Sequence, residues 1–139
     1  MKYVFYIVPV PQGRPRFARR GKFTQTYDPP KSKKFKIELA EIEYAEKPFH
    51  AEQHKPILVD LKIYKPLLKS FSKIKHSKAI EGVLRPATKG DADNYAKGIL
   101  DSLNGLFWHD DGQIVDLHIG KYYSDKPRIE MEIKEVDYE

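Results

Sequence analysis

Between Asp93 and Asn104 the apolar residues Tyr95, Ala96, Ile99, Leu100 and Leu103 recur at helical spacing, and Asn104-Gly105 supplies a stop. This helix constrains the fold most, because its neighbours in sequence read as strands. Ile57-Leu58-Val59-Asp60-Leu61-Lys62-Ile63-Tyr64, within Pro56 to Lys65, is a long strand. Ile114 to Tyr123 and Arg128 to Val136 are two more, joined through Ser124-Asp125-Lys126-Pro127. Lys2 to Pro9 is a first strand, broken by Pro9, Pro11 and Gly13. Arg14 to Tyr27 reads as a hairpin turning near Arg20-Gly21 and stopped by Asp28-Pro29-Pro30. A helix is expected from about Lys31 to Glu46, burying Phe35, Ile37, Leu39, Ala40 and Ile42. Lys69 to Lys78 is expected to be partly helical or mobile. The order lacks the regular alternation of a doubly wound fold. It predicts an α/β (α+β) chain, a single compact domain over residues 1–139 with a mixed β-sheet flanked by two or three helices.

A chain of 139 residues, 40% of them hydrophobic, holds one core. No apolar run approaches the roughly twenty residues that span a bilayer. Met1 to Val8 lacks a small-residue cleavage site and reads as a strand rather than a signal peptide. Cysteine is absent, which excludes disulfides and thiolate metal sites. The expectation is a cytoplasmic protein with no membrane partner. No Gly-rich phosphate loop of the Walker type occurs, so no nucleotide cofactor is expected.

Charge is divided along the chain. Residues 1–86 carry 19 Lys/Arg against 8 Asp/Glu, a balance of +11, whereas residues 87–139 carry 6 against 12, a balance of −6. The basic part suits a polyanion, since neutralising phosphates releases counterions. Arg14, Arg16, Arg19, Arg20 and Lys22 cluster around Phe17 and Phe23, a pattern that suits DNA backbone contact with base stacking and equally a charged hairpin with two core phenylalanines. Lys69, Lys73, Lys75 and Lys78, with Ser70, Ser72 and Ser77, form a second candidate phosphate-contacting segment.

The acidic part holds a compact constellation. Asp91 and Asp93 straddle the helix start, and in an extended lead-in residues i and i+2 point to one side, so both carboxylates could face one ion. Asp93 alone also fits a helix cap. Lys97 and Asp101 follow at successive i+4 positions, Lys97 as a candidate for stabilising phosphate charge and Asp101 as part of a surface ladder. Asp110 and Asp111 are adjacent, and the residues alone do not choose between them. Asp116 is a third candidate, although its place between Val115 and Leu117 also fits an outward-facing strand position. Oxygen-only clusters suit a hard divalent cation such as Mg²⁺. Of the histidines, His50 and His54 lie in a polar, Pro48-containing context that argues against a rigid metal pair, and His109 reads as a turn residue. Trp108 reads as a core anchor behind the acidic turn.

Asp91-Ala92-Asp93-Asn94-Tyr95-Ala96-Lys97, Leu100-Asp101-Ser102-Leu103-Asn104-Gly105 and Phe107-Trp108-His109-Asp110-Asp111-Gly112-Gln113-Ile114-Val115 follow one another in order, after an opening Gly13-Arg14-Pro15-Arg16. Together, from about residue 9 to residue 120, they resemble the RusA-type Holliday junction resolvases, small endodeoxyribonucleases of bacteria, bacteriophages and prophages. The family's pattern is D-x-D-N-x-x-K, D-A-L-N-G and W-x-D-D-x-Q-V. Ser102 stands where alanine is usual, and Lys89-Gly90 replaces a Lys-Pro-like lead-in. The resemblance implies that Asp91, Asp93 and Asp111 are metal-binding catalytic aspartates and that Lys97 is needed for cleavage. It further implies Mg²⁺, with Mn²⁺ as a substitute, and a homodimer that nicks a four-way DNA junction symmetrically during recombination and repair. Two rivals stand beside this: a non-catalytic DNA-binding protein of the same fold, and a metal nuclease for other branched DNA or RNA.

Overall fold

The computed structural model describes residues 1–13, 16–20, 23–27, 30–45, 51–52 and 54–136, with only the backbone described for 16–20, 23–27 and 43–45. It is a mixed four-stranded sheet with three helices and a separate two-stranded hairpin. Strands β1 (Lys2–Phe5), β4 (Ile57–Pro66), β5 (Ile114–Ser124) and β6 (Arg128–Glu135) lie in the order β1-β6-β4-β5. The hairpin pairs β2 (Arg16–Arg20) with β3 (Phe23–Tyr27) in antiparallel register. Helices α1 (Pro30–Ala45), α2 (Lys73–Ile80) and α3 (Ala92–Leu103) complete the fold.

Alternation along β4 makes the sheet two-sided. Ile57, Val59, Leu61 and Ile63 are fully buried, whereas Leu58, Asp60 and Tyr64 are half-buried and Lys62 is exposed. The buried row meets Phe35 and Leu39 of α1 and Tyr95, Ala96, Ile99 and Leu103 of α3 in one core, joined by Phe5, Phe107, Trp108, Ile129, Met131 and Ile133. Burial of each large aliphatic side chain contributes roughly 1.5–3 kcal/mol. The other face carries a ladder of rings and guanidinium groups: Tyr64 stacks on Tyr122 at 5.3 Å, with Arg128 3.7 Å from the Tyr64 ring and Arg85 4.1 Å from the Tyr122 ring.

Strands β5 and β6 are joined by a short connection yet do not pair. β4 lies between them, parallel to β5 and antiparallel to β6. β5 is therefore an edge strand whose core-facing residues are Leu117, Ile119, Lys121 and Tyr123, opposite Val59, Leu61, Ile63 and Lys65. Both α2 and α3 pack against it.

Several expectations need adjustment. β1 ends at Phe5, short of Pro9. Ile37, expected in the core, is 52% exposed because it lies off the Phe35–Leu39 stripe of α1. The segment expected to be partly helical is helical over Lys73–Ile80, started by Ser72, whose Oγ accepts the Lys75 amide at 3.2 Å.

Candidate active site

Helix α3 begins at Ala92, between Asp91 and Asp93 as expected, so Asp93 lies in a helical turn and not in an extended lead-in. Asp91 is the N-cap, with φ −66° and ψ 143°, and its carbonyl accepts the Tyr95 amide at 3.1 Å. Its carboxylate makes no capping bond and is exposed. Asp93 already lies in the first helical turn. The two are thus not related by strand alternation, and the expectation that they share a side on that ground does not hold. Asp93 lines an open groove with Ala96, Lys97, Leu100 and Asp111, floored by Leu117 and Ile119 of β5. Asp91 does not line it.

The turn after α3 sorts its two aspartates in opposite directions. Gly105, at φ +86°, reverses the chain after α3, and its amide bonds the Trp108 carbonyl at 2.8 Å. Phe107 and Trp108 then plunge into the core, both with no exposed surface. From that buried position the Trp108 indole Nε1 donates to Asp111 Oδ1 at 2.7 Å. A charge-assisted bond of this length, from a ring that cannot move, fixes where Asp111 points. One oxygen of Asp111 is thereby held by the indole, and the carboxylate lies on the groove.

Asp110 takes another role. It is the N-cap of a 3₁₀ turn over Asp111–Gln113 and lines a separate depression with His54, His109 and Gln113. Gln113 is only 7% exposed and locks this turn. Its Oε1 accepts the amides of His109 at 2.9 Å and Asp110 at 3.1 Å, while its Nε2 donates to the carbonyls of Glu52 at 2.8 Å and Lys55 at 3.0 Å. A buried amide with both ends satisfied is a rigid brace. The sequence alone assigns it no role beyond its place in the motif; the only signal is the glutamine three residues after an aspartate, a capping-box spacing.

Lys97 is exposed on the groove and has no ion-pair partner among the described residues. Asp101 also reaches the groove, but it pairs with Lys36 of α1 at 3.4 Å, in keeping with a structural charge contact. Ser102, where alanine is usual, donates to the Lys36 carbonyl at 3.5 Å and so adds a second link between α3 and α1. Asp116 is exposed, opposite Leu58 on the far face of the sheet.

The loop entering α3 is held from beneath. Lys121 Nζ donates to the carbonyls of Gly90 at 2.8 Å and Thr88 at 3.5 Å, and Lys65 Nζ to that of Lys89 at 3.3 Å. Burial, and then the neighbouring Lys121 charge, hold the Lys65 ammonium below the usual lysine range. Gly90 has φ +100°, and a Cβ there would meet the Tyr95 ring at 2.5 Å, so both conformation and space require glycine. Burial pushes the Tyr95 phenol above its ordinary range.

Among the described residues no three Asp, Glu or His side chains stand close enough together to enclose a cation between them. Asp93 and Asp111 nevertheless offer hard oxygen donors on one groove. That donor set fits Mg²⁺, which keeps several waters and takes one or two carboxylates rather than a full protein cage.

Of the expected DNA-contacting residues, Lys69, Lys73 and Lys75 are exposed on and just before α2. Arg14 and Lys22 lie outside the described residues. For Arg16, Arg19 and Arg20 only the backbone is described, in β2. His50 also lies outside, and His54 stands apart from the groove at φ 65°.

Comparison with known proteins shows the family. The "Uncharacterized protein YqaN" of Bacillus subtilis (strain 168) is 45% identical over 145 aligned residues, covering 98% of this chain and 96% of that protein. The family model described as endodeoxyribonuclease RusA matches residues 7–134, a span that includes α3, the Trp108–Gln113 turn, β4, β5 and all of β6 but Glu135. With nearly the whole chain matched, this protein belongs to the RusA endodeoxyribonuclease family.

Proposed function

We propose that the chain is a Mg²⁺-dependent endonuclease that resolves four-way DNA junctions by paired nicks, acting as a homodimer. The observation that carries this reading is the groove itself: Asp93, Lys97 and Asp111 line one open surface, while the adjacent Asp110 is turned away. Membership of an endodeoxyribonuclease family supports phosphodiester hydrolysis as the reaction.

The residues divide the work. Asp93 and Asp111 would hold the cation, and Asp91, at the mouth of the helix, would contribute directly or through water. When bound, Mg²⁺ polarises the phosphoryl oxygens and makes a coordinated water more acidic. Mn²⁺ would suit the same oxygen donors. Lys97, free of any carboxylate among the described residues, is available to orient the scissile phosphate and to offset charge developing on it. Trp108 keeps Asp111 aimed at the groove. The lysines at 69, 73 and 75, and the Arg14–Lys22 segment, supply sequence-independent grip on the DNA backbone. An isologous dimer offers two equivalent sites to the two equivalent strands of a junction.

The test uses labelled four-way junctions, linear duplex and single strands, with Mg²⁺ or chelator, for the wild type and Asp93→Asn. Symmetric nicks on the junction alone, lost with chelator or in the variant while junction binding persists, are expected. Equal cutting of duplex would overturn junction selectivity, and cutting in chelator would overturn the metal mechanism. Light scattering of the free protein gives the oligomeric state, for which two chains are expected.

A further inference from the structure

The core-facing row of β5 does three things in sequence. Leu117 and Ile119 floor the groove, Lys121 reaches the loop before α3, and Tyr123 meets Phe71 edge-on at 5.2 Å beneath the start of α2. The middle function is unusual in its charge. Lys65 and Lys121 come from neighbouring parallel strands, with Lys65 opposite Tyr123 and Lys121 opposite Ile63, and they point to the same side. Neither has a carboxylate within ion-pair distance among the described residues. Their hydrogen bonds go instead to three successive backbone carbonyls, those of Thr88, Lys89 and Gly90, and the Lys65 ammonium also lies 6.0 Å from the centre of the Tyr95 ring.

Two like charges placed side by side repel, and ion pairing does not offset that cost here. Holding three carbonyls in a row is a costly way to fix a loop unless its exit direction matters. The exit is Asp91. Gly90 is seated under the Tyr95 ring, Tyr95 bonds back to the Asp91 carbonyl, and the Asn94 carbonyl accepts the Gln12 amide at 3.0 Å. The first turn of α3 is thus fixed on the inside by packing, and its approach is fixed from below by two ammonium groups.

We propose that Lys65 and Lys121 are positioning residues, a two-ammonium clamp on residues 88–90 that sets the angle at which Asp91 and Asp93 are presented to the groove. They act through the backbone and do not touch substrate. The proposal rests on the reading of those aspartates as the cation-holding acids.

The experiment uses the full chain carrying Lys121→Met, Lys65→Met, both together, and Lys121→Arg. Three quantities are measured: amide exchange of Tyr95, Mn²⁺ binding without DNA by water-proton relaxation, and nicking rate against Mg²⁺ concentration. In the double variant, Tyr95 exchange quickens and half-saturating metal rises about tenfold, the size typical when a partner behind a ligand is removed. Junction affinity in chelator stays within about threefold of wild type, because the groups that grip phosphate are untouched. Lys121→Arg, which keeps donors and charge, restores most of the metal affinity. Wild-type exchange and metal requirement in the double variant would overturn the clamp, as would loss of junction affinity with an unchanged metal requirement. If the double variant does not fold, the same readings on Lys65→Met decide the matter. A wild type that binds no Mn²⁺ would sink the metal reading instead, and Tyr95 exchange would then judge the clamp by itself.

Discussion

The Trp108–Gln113 turn and helix α2 are both short polar segments on the β5 side of the molecule, but they are held in different ways. The turn is pinned by a fully buried indole, a buried glutamine and the core itself. Helix α2 has Ala79 as its one buried residue, and its lysines reach into solvent. The contrast suits what each is proposed to bind. A cation needs oxygens at fixed places, within tenths of an ångström, so the acid is anchored through rigid atoms. A phosphate backbone is a line of repeating charge, and long, solvated lysines suit it without a fixed geometry.

The sharpest way to break this comparison is to exchange the two neighbouring aspartates in turn. Asp111→Asn is expected to slow nicking by roughly 10²–10³-fold, as for other preorganised charge-stabilising groups. Asp110→Asn is expected to change the rate less than about threefold and to leave stability nearly unchanged, since asparagine caps a helical turn as well as aspartate. Equal losses would mean that the turn does not sort them. Trp108→Phe keeps most of the apolar volume and removes the indole donor. Nicking should fall by about 10–100-fold, and a urea titration should show a loss of about 1 kcal/mol for the missing hydrogen bond. An unchanged rate would show that Asp111 needs no anchor.

Replacing Lys69, Lys73 and Lys75 together by alanine tests the other side. Affinity should weaken at low salt, and the slope of log K against log salt should shrink by about 0.9 for each phosphate no longer neutralised. Turnover at saturating junction should be unchanged. A fall in turnover would mean that α2 has geometric work to do after all. The smallest effect concerns pH. The raised Tyr95 phenol contributes stability that is fully present below its unfolded value of 10.0 and lost as pH rises through the higher folded value. Between about pH 9 and about pH 11 the wild type should therefore lose more stability to urea than Tyr95→Phe.

Local patterns exposed much of this molecule. The apolar stripe of α3, the alternation of β4 and the Gly105 stop all act within a few residues, so the sequence reveals them directly. The core role of Trp108 was legible for the same reason, whereas the residues alone left Asp110 and Asp111 undecided. What was not legible depends on partners far along the chain. The placing of β4 between β5 and β6 leaves no local mark, because the connection at Ser124–Arg128 reads like any strand-to-strand turn. Lys65 and Lys121 look like ordinary strand lysines until the parallel register brings them under one loop. That the pair straddles a helix start was legible, but which of the two lines the groove was not: Asp93 does and Asp91 does not.

The parallel pairing of β4 with β5 also imposes an order in time. Residues 57–66 emerge from the ribosome long before residues 114–124, and β4 then has no partner on that side. The groove lacks its floor until Ile119 is made, and the loop before α3 lacks its clamp until Lys121 is made. Through most of its synthesis the chain is therefore a basic polypeptide with no completed acidic groove. The groove proposed to hold the cation is among the last parts to be assembled.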